Sequence, residues 1–112
     1  MKKKEVIGLI VPIVIKGKKA LKVKAKVDTG AEKSSICKSL LMQLGKVKKI
    51  GKVKVKNPIA SEKRDIVELE VKFKNKIIKS KFTVADRKHM SYNILLGKNT
   101  LKQLNVLIDP NK

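Results

Sequence analysis

Apolar and polar residues alternate along much of this chain, with a period of two rather than 3.6. The plainest stretch is Leu21-Lys22-Val23-Lys24-Ala25-Lys26-Val27, in which apolar residues and lysines take turns. Such a segment forms a half-buried strand with a lysine-coated outer face. Two short apolar runs rich in β-branched residues precede it, Val6 to Ile10 and Pro12 to Ile15. They predict strands, with Pro12 marking an edge or a break between them. Lys16 to Lys19, with Gly17, predicts a hairpin turn. Lys52 to Lys56 alternates again until Asn57-Pro58 breaks it. Ile66 to Phe73 alternates, Asn75-Lys76 turns the chain, and Ile77 to Val84 returns. Ser34-Ser35-Ile36, Tyr92 to Leu96 and Val106 to Ile108 are further short strands. Ser39 to Leu44 predicts a short helix stopped by Gly45, and a second runs through Leu104, capped by Asn99 or Thr100. Many short strands without long crossovers predict an all-β, closed, barrel-like fold with one or two short helices, spanning 1–112 as one domain.

Composition narrows the partners. The net charge is +20 over 112 residues, nearly all of the positive charge is lysine, and only Arg64 and Arg87 are arginine. A lysine-rich, arginine-poor surface reads first as a solvated coat that confers solubility, and second as a field that attracts anions. Specific nucleic-acid readers use Arg forks and aromatic stacking platforms. The only aromatics here are Phe73, Phe82 and Tyr92, which argues against nucleic acid. The one cysteine, Cys37, cannot form an intrachain disulfide and reads as a small core residue in a reducing compartment. The apolar run near the start is interrupted by Gly8 and Pro12 and followed by Lys16-Gly17-Lys18-Lys19, not by a cleavage site. No segment is long enough to span a bilayer. The expectation is a soluble, cytoplasmic protein with no membrane partner.

The candidate chemistry lies where the alternating strand ends, at Asp28-Thr29-Gly30-Ala31. A strand delivers a carboxylate, a hydroxyl can brace the loop, and a glycine lets the backbone turn and approach a substrate closely. Aspartic peptidases need this arrangement, although the tripeptide alone also makes ordinary turns. A second segment, Asn93-Ile94-Leu95-Leu96-Gly97-Lys98-Asn99-Thr100-Leu101, is an apolar strand that ends in glycine and leads into a helix.

Together the two segments resemble the retropepsin class of aspartic peptidases. In that class a hydrophobic-hydrophobic-Gly-Arg segment packs beneath the catalytic loop. Five segments occur in one order: Ala25 to Ala31, Glu62 to Val67, Asp86 to Met90, Leu95 to Lys98 and Leu107 to Pro110. This order is similar to the retropepsin-like family often labelled ATP-dependent zinc protease and associated with ATP-grasp glutamate ligases. Lys98 stands where the class has Arg, and an ammonium is a point charge rather than a fork. Glu32 stands where the class often has an acid, so a Glu32–Lys98 bridge is expected. The resemblance implies that Leu96, Gly97 and Lys98, with Glu32, support the loop. The residues do not fit the label's zinc or ATP. There is no His-Glu-x-x-His, His89 is the only histidine, and no Gly-x-x-x-x-Gly-Lys-Ser/Thr loop occurs. His89 reads as a surface or structural residue, and no metal or cofactor is expected.

An aspartic peptidase needs two carboxylates that share a proton. Asp65, Asp86 and Asp109 lack a following Thr-Gly or Ser-Gly, so a second Asp28 must come from a second copy of the chain. The expectation is a C2 homodimer through the Asp28 loops, cleaving peptide bonds with a water activated by the dyad. The family pattern implies that Thr29 ties the two loops across the axis and that the Gly30 carbonyl accepts a hydrogen bond from substrate. Ala31 cannot donate to the carboxylate as Ser or Thr could, which predicts a rate optimum closer to neutral pH. Lys56 to Ser61 is the candidate flap, with Pro58, Ile59 and Ala60 meeting substrate beside Gly30 and Ala31. It lacks a glycine-rich tip. The charge favours an acidic polypeptide substrate, and the glutamate-ligase association of the family points to a glutamate-rich one. The alternatives are a retropepsin-fold binding or dimerisation module with weak or no catalysis, and a basic nucleic-acid-binding β-barrel.

Overall fold

The computed structural model describes residues 4–56, 61–85 and 91–112. In chain order the elements are β1 (Val6–Ile7), β2 (Ile10–Lys16), β3 (Ala20–Val27), β4 (Ser34–Cys37), α1 (Lys38–Gln43) and β5 (Lys48–Lys56). There follow β6 (Ser61–Phe73), β7 (Lys76–Ala85), β8 (Ile94–Leu96), α2 (Lys98–Leu104) and β9 (Leu107–Ile108). The main sheet has the order β2-β3-β8-β4-β7-β6-β5. It closes because β2 also pairs with β6, Val14 to Lys72, Ile15 to Val71 and Lys16 to Glu70. Six strands therefore form a barrel, and β5 extends from β6 outside the ring. A second sheet joins β1 to β9 in parallel. The fold is all-β and closed, with two short helices, as expected.

The alternating pattern sets which side chains fill the barrel. Along β3, Ala25 and Val27 are buried, while Lys22, Lys24 and Lys26 are exposed. Along β6, Val67, Leu69, Val71 and Phe73 point inward. Ile15, Ile36, Leu44, Phe82, Ile94, Leu96 and Leu104 complete an almost wholly aliphatic core. Cys37 is buried, with its thiol 3.2 Å from the Ser39 hydroxyl.

Several boundaries differ from the expectations, each for a physical reason. Pro12 neither breaks nor ends a strand: it lies inside β2, opposite Lys24. Pairing with β6 starts only at Val14, so the missing N–H of Pro12 costs no ladder bond. The β5–β6 hairpin starts at Lys48 rather than Lys52, and β6 begins at Ser61 rather than Ile66. This outer part leaves the barrel and has little to bury, so apolar periodicity cannot mark it. Lys49–Asp65 joins its two strands at 3.2 Å. The β6–β7 turn comes one residue early, with Lys74 in the left-handed region at φ 53°. Tyr92 lies outside β8, which starts at Ile94; the Asn93 carbonyl instead accepts from the Cys37 N–H at 2.8 Å. The last strand starts at Leu107 rather than Val106. Helix α1 ends as expected, with Gly45 at φ 75°. The candidate flap residues Pro58, Ile59 and Ala60 lie outside the described residues, as do Asp86 and His89.

Phe82 is fully buried, so Phe82→Ala is expected to cost about 3–5 kcal/mol in urea unfolding. Ile77→Ala, 58% exposed on the opposite face of the same strand, is expected to stay within about 0.5 kcal/mol.

Candidate active site

The Asp28 loop sits where β3 runs out, and β8 holds it from beneath. Strands β3 and β8 pair in parallel, Lys26 with Leu95 and Val27 with Leu96. The ladder continues past the strand end: the Asp28 N–H donates to the Leu96 carbonyl at 2.9 Å. On the far side of the loop, the Lys98 N–H donates to the Ala31 carbonyl at 2.8 Å, and the Asn99 N–H to Glu32 at 3.2 Å. Between these two clamps lies Gly97. A Cβ there would meet the Lys33 carbonyl carbon and oxygen at 2.6 Å and the Ala31 carbonyl oxygen at 2.9 Å. Only glycine allows this strand to pass so close under the loop.

Within the loop, the Gly30 N–H donates to Asp28 Oδ1 at 3.1 Å, and the Ala31 N–H to the Asp28 carbonyl at 3.2 Å. Asp28 is half-buried, and Thr29 and Gly30 are exposed. Two expectations change here. Among the described residues the Thr29 hydroxyl has no hydrogen-bond partner, so it does not brace its own loop; backbone N–H groups do. Gly30 has no left-handed φ, and a Cβ on it would meet nothing nearer than Asp28 Oδ1 at 3.4 Å. Its own chain does not require glycine at this position.

The expected ion pair between Glu32 and Lys98 is present, with Lys98 Nζ 3.0 Å from Glu32 Oε1. It ties the loop to the first turn of α2. Lys98 holds the Glu32 carboxyl below its ordinary value, first by the hydrogen bond and then by its charge. The other expected acids serve local structure. Asp65 pairs with Lys49, and Asp109 accepts from the Asn111 N–H at 2.9 Å. Among the described residues no group of three or more His, Cys, Asp or Glu side chains could hold a metal ion.

A buried polar cluster that the sequence pattern did not reveal fixes α2 behind the loop. Asn99 and Thr100 do not cap this helix; the N-cap is Gly97, with no side-chain cap bond. Instead Asn99 Oδ1 accepts from the Ser34 N–H at 2.9 Å, and Asn99 Nδ2 donates to the Lys81 carbonyl at 2.9 Å. Ser34 Oγ accepts from the Gly97 N–H at 2.9 Å and pairs with Thr100, whose hydroxyl lies 2.7 Å from Ser80 Oγ. Ser34, Ser80 and Thr100 are fully buried, and among the described residues no buried side-chain polar atom lacks a partner. The available signal was parity: Ser34 and Ser80 occupy inward positions on β4 and β7. Beside the loop lies a cleft of about 380 Å³ lined by Glu32, Lys33, Ile66, Lys81, Thr83 and Asn99, with Phe82.

A family model describing the retropepsin-like aspartic endopeptidase RimB matches residues 38–112. The chain belongs to this RimB-like family. The match takes in β8, Gly97 and Lys98, and it begins after Asp28-Thr29-Gly30. Among solved structures, the chain is similar to EIAV protease complexed with the inhibitor HBY-793, at 19% identity and a TM-score of 0.69 over 95% of this chain and 92% of that one. It is also similar to Lpg0085 from Legionella pneumophila, a protein of unknown function, at 20% identity and a TM-score of 0.68 over 98% and 96%. The retroviral protease-like domain of Ddi1 from Leishmania major matches at 24% identity and a TM-score of 0.60 over 88% and 78%. No curated protein sequence matches the chain. Family and fold together support a protease-like function.

Gly97→Ala is expected to cost about 1–3 kcal/mol in denaturant unfolding, because its neighbours are backbone that cannot give. Gly30→Ala is expected to stay within about 0.5 kcal/mol. A second prediction follows from Glu32. Its lowered carboxyl binds fewer protons folded than unfolded, so its contribution is present above the ordinary value of 4.5 and is lost as pH falls through the lowered one. The Tm difference between the wild type and Glu32→Gln should be small at neutral pH, since the pair is exposed, and should vanish in acid.

Proposed function

We propose that the chain is a homodimeric aspartic endopeptidase in which one Asp28 from each copy forms the catalytic dyad. The observation that carries this reading is the Asp28 loop itself. It is rigidly clamped from below, yet its Thr29 hydroxyl is unengaged within the described chain and its Gly30 is not needed by its own fold. A second loop and a substrate backbone would use both. In the dyad one carboxylate takes a proton from water, which attacks the scissile carbonyl, and the other protonates the carbonyl oxygen. Thr29 would reach across the axis, and the Gly30 carbonyl and Ala31 would meet substrate, with Pro58, Ile59 and Ala60 over it as the flap. Glu32, Leu96, Gly97 and Lys98 position the loop.

Exposed apolar residues near the loop support a partner there. Leu9 is 49% exposed, and its carbonyl accepts from the Val27 N–H; Val6 and Leu107 are exposed side by side across β1 and β9. Residues 1–112 would act as one catalytic domain per copy, in the cytoplasm. No helix among the described residues is long and apolar enough to cross a membrane. Lys33 and Lys81 line the cleft beside the loop and favour an acidic side chain in the substrate. Ala31 offers no hydroxyl to the carboxylates, which favours a rate optimum near neutral pH. A second reading, a dimerisation or binding module with weak or no catalysis, is favoured by one observation: the ion pair that ties Glu32 to α2 is made by Lys98, a point charge rather than an arginine fork.

The test pairs a solution mass with cleavage of a mixed peptide library. The expected mass is twice the 12.5 kDa of one chain. Asp28→Asn is expected to abolish cleavage while leaving the fold intact. A monomer, or full cleavage by Asp28→Asn, would overturn the proposal.

A further inference from the structure

The β4–β8 ladder ends at Ser35 opposite Leu95, and the next position on β4 is Ser34. There a side chain takes over from the backbone: Ser34 Oγ accepts from the Gly97 N–H at 2.9 Å. That N–H and the Leu96 carbonyl belong to one planar peptide unit, so neither can turn without the other. The same carbonyl holds the Asp28 N–H at 2.9 Å. The Leu96–Gly97 unit is therefore gripped at both ends, by Ser34 on one side and by the Asp28 loop on the other. Gly97 closes it, and a glycine leaves the plane freer to rotate than any other residue would. The proton positions around Ser34 follow from its acceptors. Asn99 Nδ2 donates to the Lys81 carbonyl, which leaves Asn99 Oδ1 toward Ser34. A carbonyl oxygen only accepts, so Ser34 gives its one hydroxyl proton to Asn99 Oδ1 at 2.9 Å. Toward Gly97 it is then an acceptor alone, while Thr100 donates to Ser34 and Ser80 donates to Thr100. All three hydroxyl residues are fully buried, away from bulk water.

We infer that Ser34 is a positioning residue for Asp28: its buried hydroxyl, made a fixed acceptor by Asn99, locks the Leu96–Gly97 peptide plane whose carbonyl holds the Asp28 amide. The consequence for a reaction rests on the proposed peptidase reading; the consequence for the loop does not. Removing the hydroxyl leaves a buried N–H without its partner beside a glycine, and the plane turns to find another. The Leu96 carbonyl turns with it, and Asp28 loses its anchor. A shared dyad tolerates little displacement, since a shift of about 1 Å between reacting groups can cost about a hundredfold in rate. Thr100 is the contrasting member of the cluster. It is as buried as Ser34, but its hydroxyl reaches the loop only through Ser34. Thr100→Val leaves Ser34 its bonds to Asn99 and Gly97.

Amide hydrogen exchange of the full chain, followed by NMR under native conditions, reads the loop directly. In Ser34→Ala the Asp28 and Gly97 amides are expected to exchange at least about tenfold faster, relative to the amide of buried Val71 in the barrel wall. In Thr100→Val the same ratio is expected to change less than about threefold. Uniform acceleration across the barrel in Ser34→Ala, or equal ratios in the two variants, would reduce Ser34 to a stability role and overturn the proposal. Kinetics give a second readout, on a peptide from the mixed library that the wild type cleaves. Ser34→Ala is expected to lower kcat about tenfold with KM within about twofold, and Thr100→Val to keep kcat within about twofold. Equal kcat losses in the two variants, or an unchanged kcat in Ser34→Ala, would also overturn it. Should Ser34→Ala fail to fold, Ser34→Cys makes the same comparison with smaller losses, because a thiol sulfur is a weak acceptor. A wild type that cleaves nothing would overturn the peptidase reading alone, and the exchange ratio would still decide the role of Ser34.

Discussion

The passage of β8 beneath the Asp28 loop is the contact on which the site depends. The end of β8 and the start of α2 each supply a hydrogen bond to one side of the loop, from Leu96 before Gly97 and from Lys98 after it. The clearance between them admits no Cβ. A loop held this way cannot drift without breaking the β3–β8 ladder, so its carboxylate is positioned by the barrel rather than by its own turn. The Ser34–Asn99–Thr100–Ser80 cluster then fixes α2 against β4 and β7, and α2 carries Lys98. Buried polar groups in such a cluster cost stability if any one is left unpaired, which makes the arrangement specific as well as stable.

Much of this was legible in the sequence, and the reasons differ from element to element. The β3 strand was plain because one of its faces is buried and the other is lysine. Asp28-Thr29-Gly30 and Leu95-Leu96-Gly97-Lys98 were legible as a pair, since a glycine closing an apolar strand has few reasons to exist except close approach. The outer β5–β6 hairpin was underestimated because it leaves the core. Asn99 and Thr100 were assigned to a helix cap because their residue type favours caps, yet tertiary partners claimed both side chains. The roles of Ser34 and Ser80 were not legible, because a small polar residue at an inward position declares its partners only once β4, β7 and α2 are brought together.

Charge divides the molecule in the same way that packing does. On the β5–β6–β7 wall Asp65, Glu68 and Glu70 stand across from lysines, although Lys54 faces Lys63, whereas residues 6–27 of the β2–β3 hairpin carry no acid of their own. A dimer of two +20 chains must overcome long-range repulsion, and exposed Val6, Leu9 and Leu107 are apolar surface that could offset it.

The most direct measurement is the activity of wild-type chains mixed and re-equilibrated with Asp28→Asn chains at constant total concentration. If each site needs two Asp28 carboxylates, mixed dimers are inactive, and an equal mixture retains about a quarter of the unmixed wild-type rate. Retention of about half, a fall linear in the wild-type fraction, would mean that one chain suffices and would contradict the shared dyad.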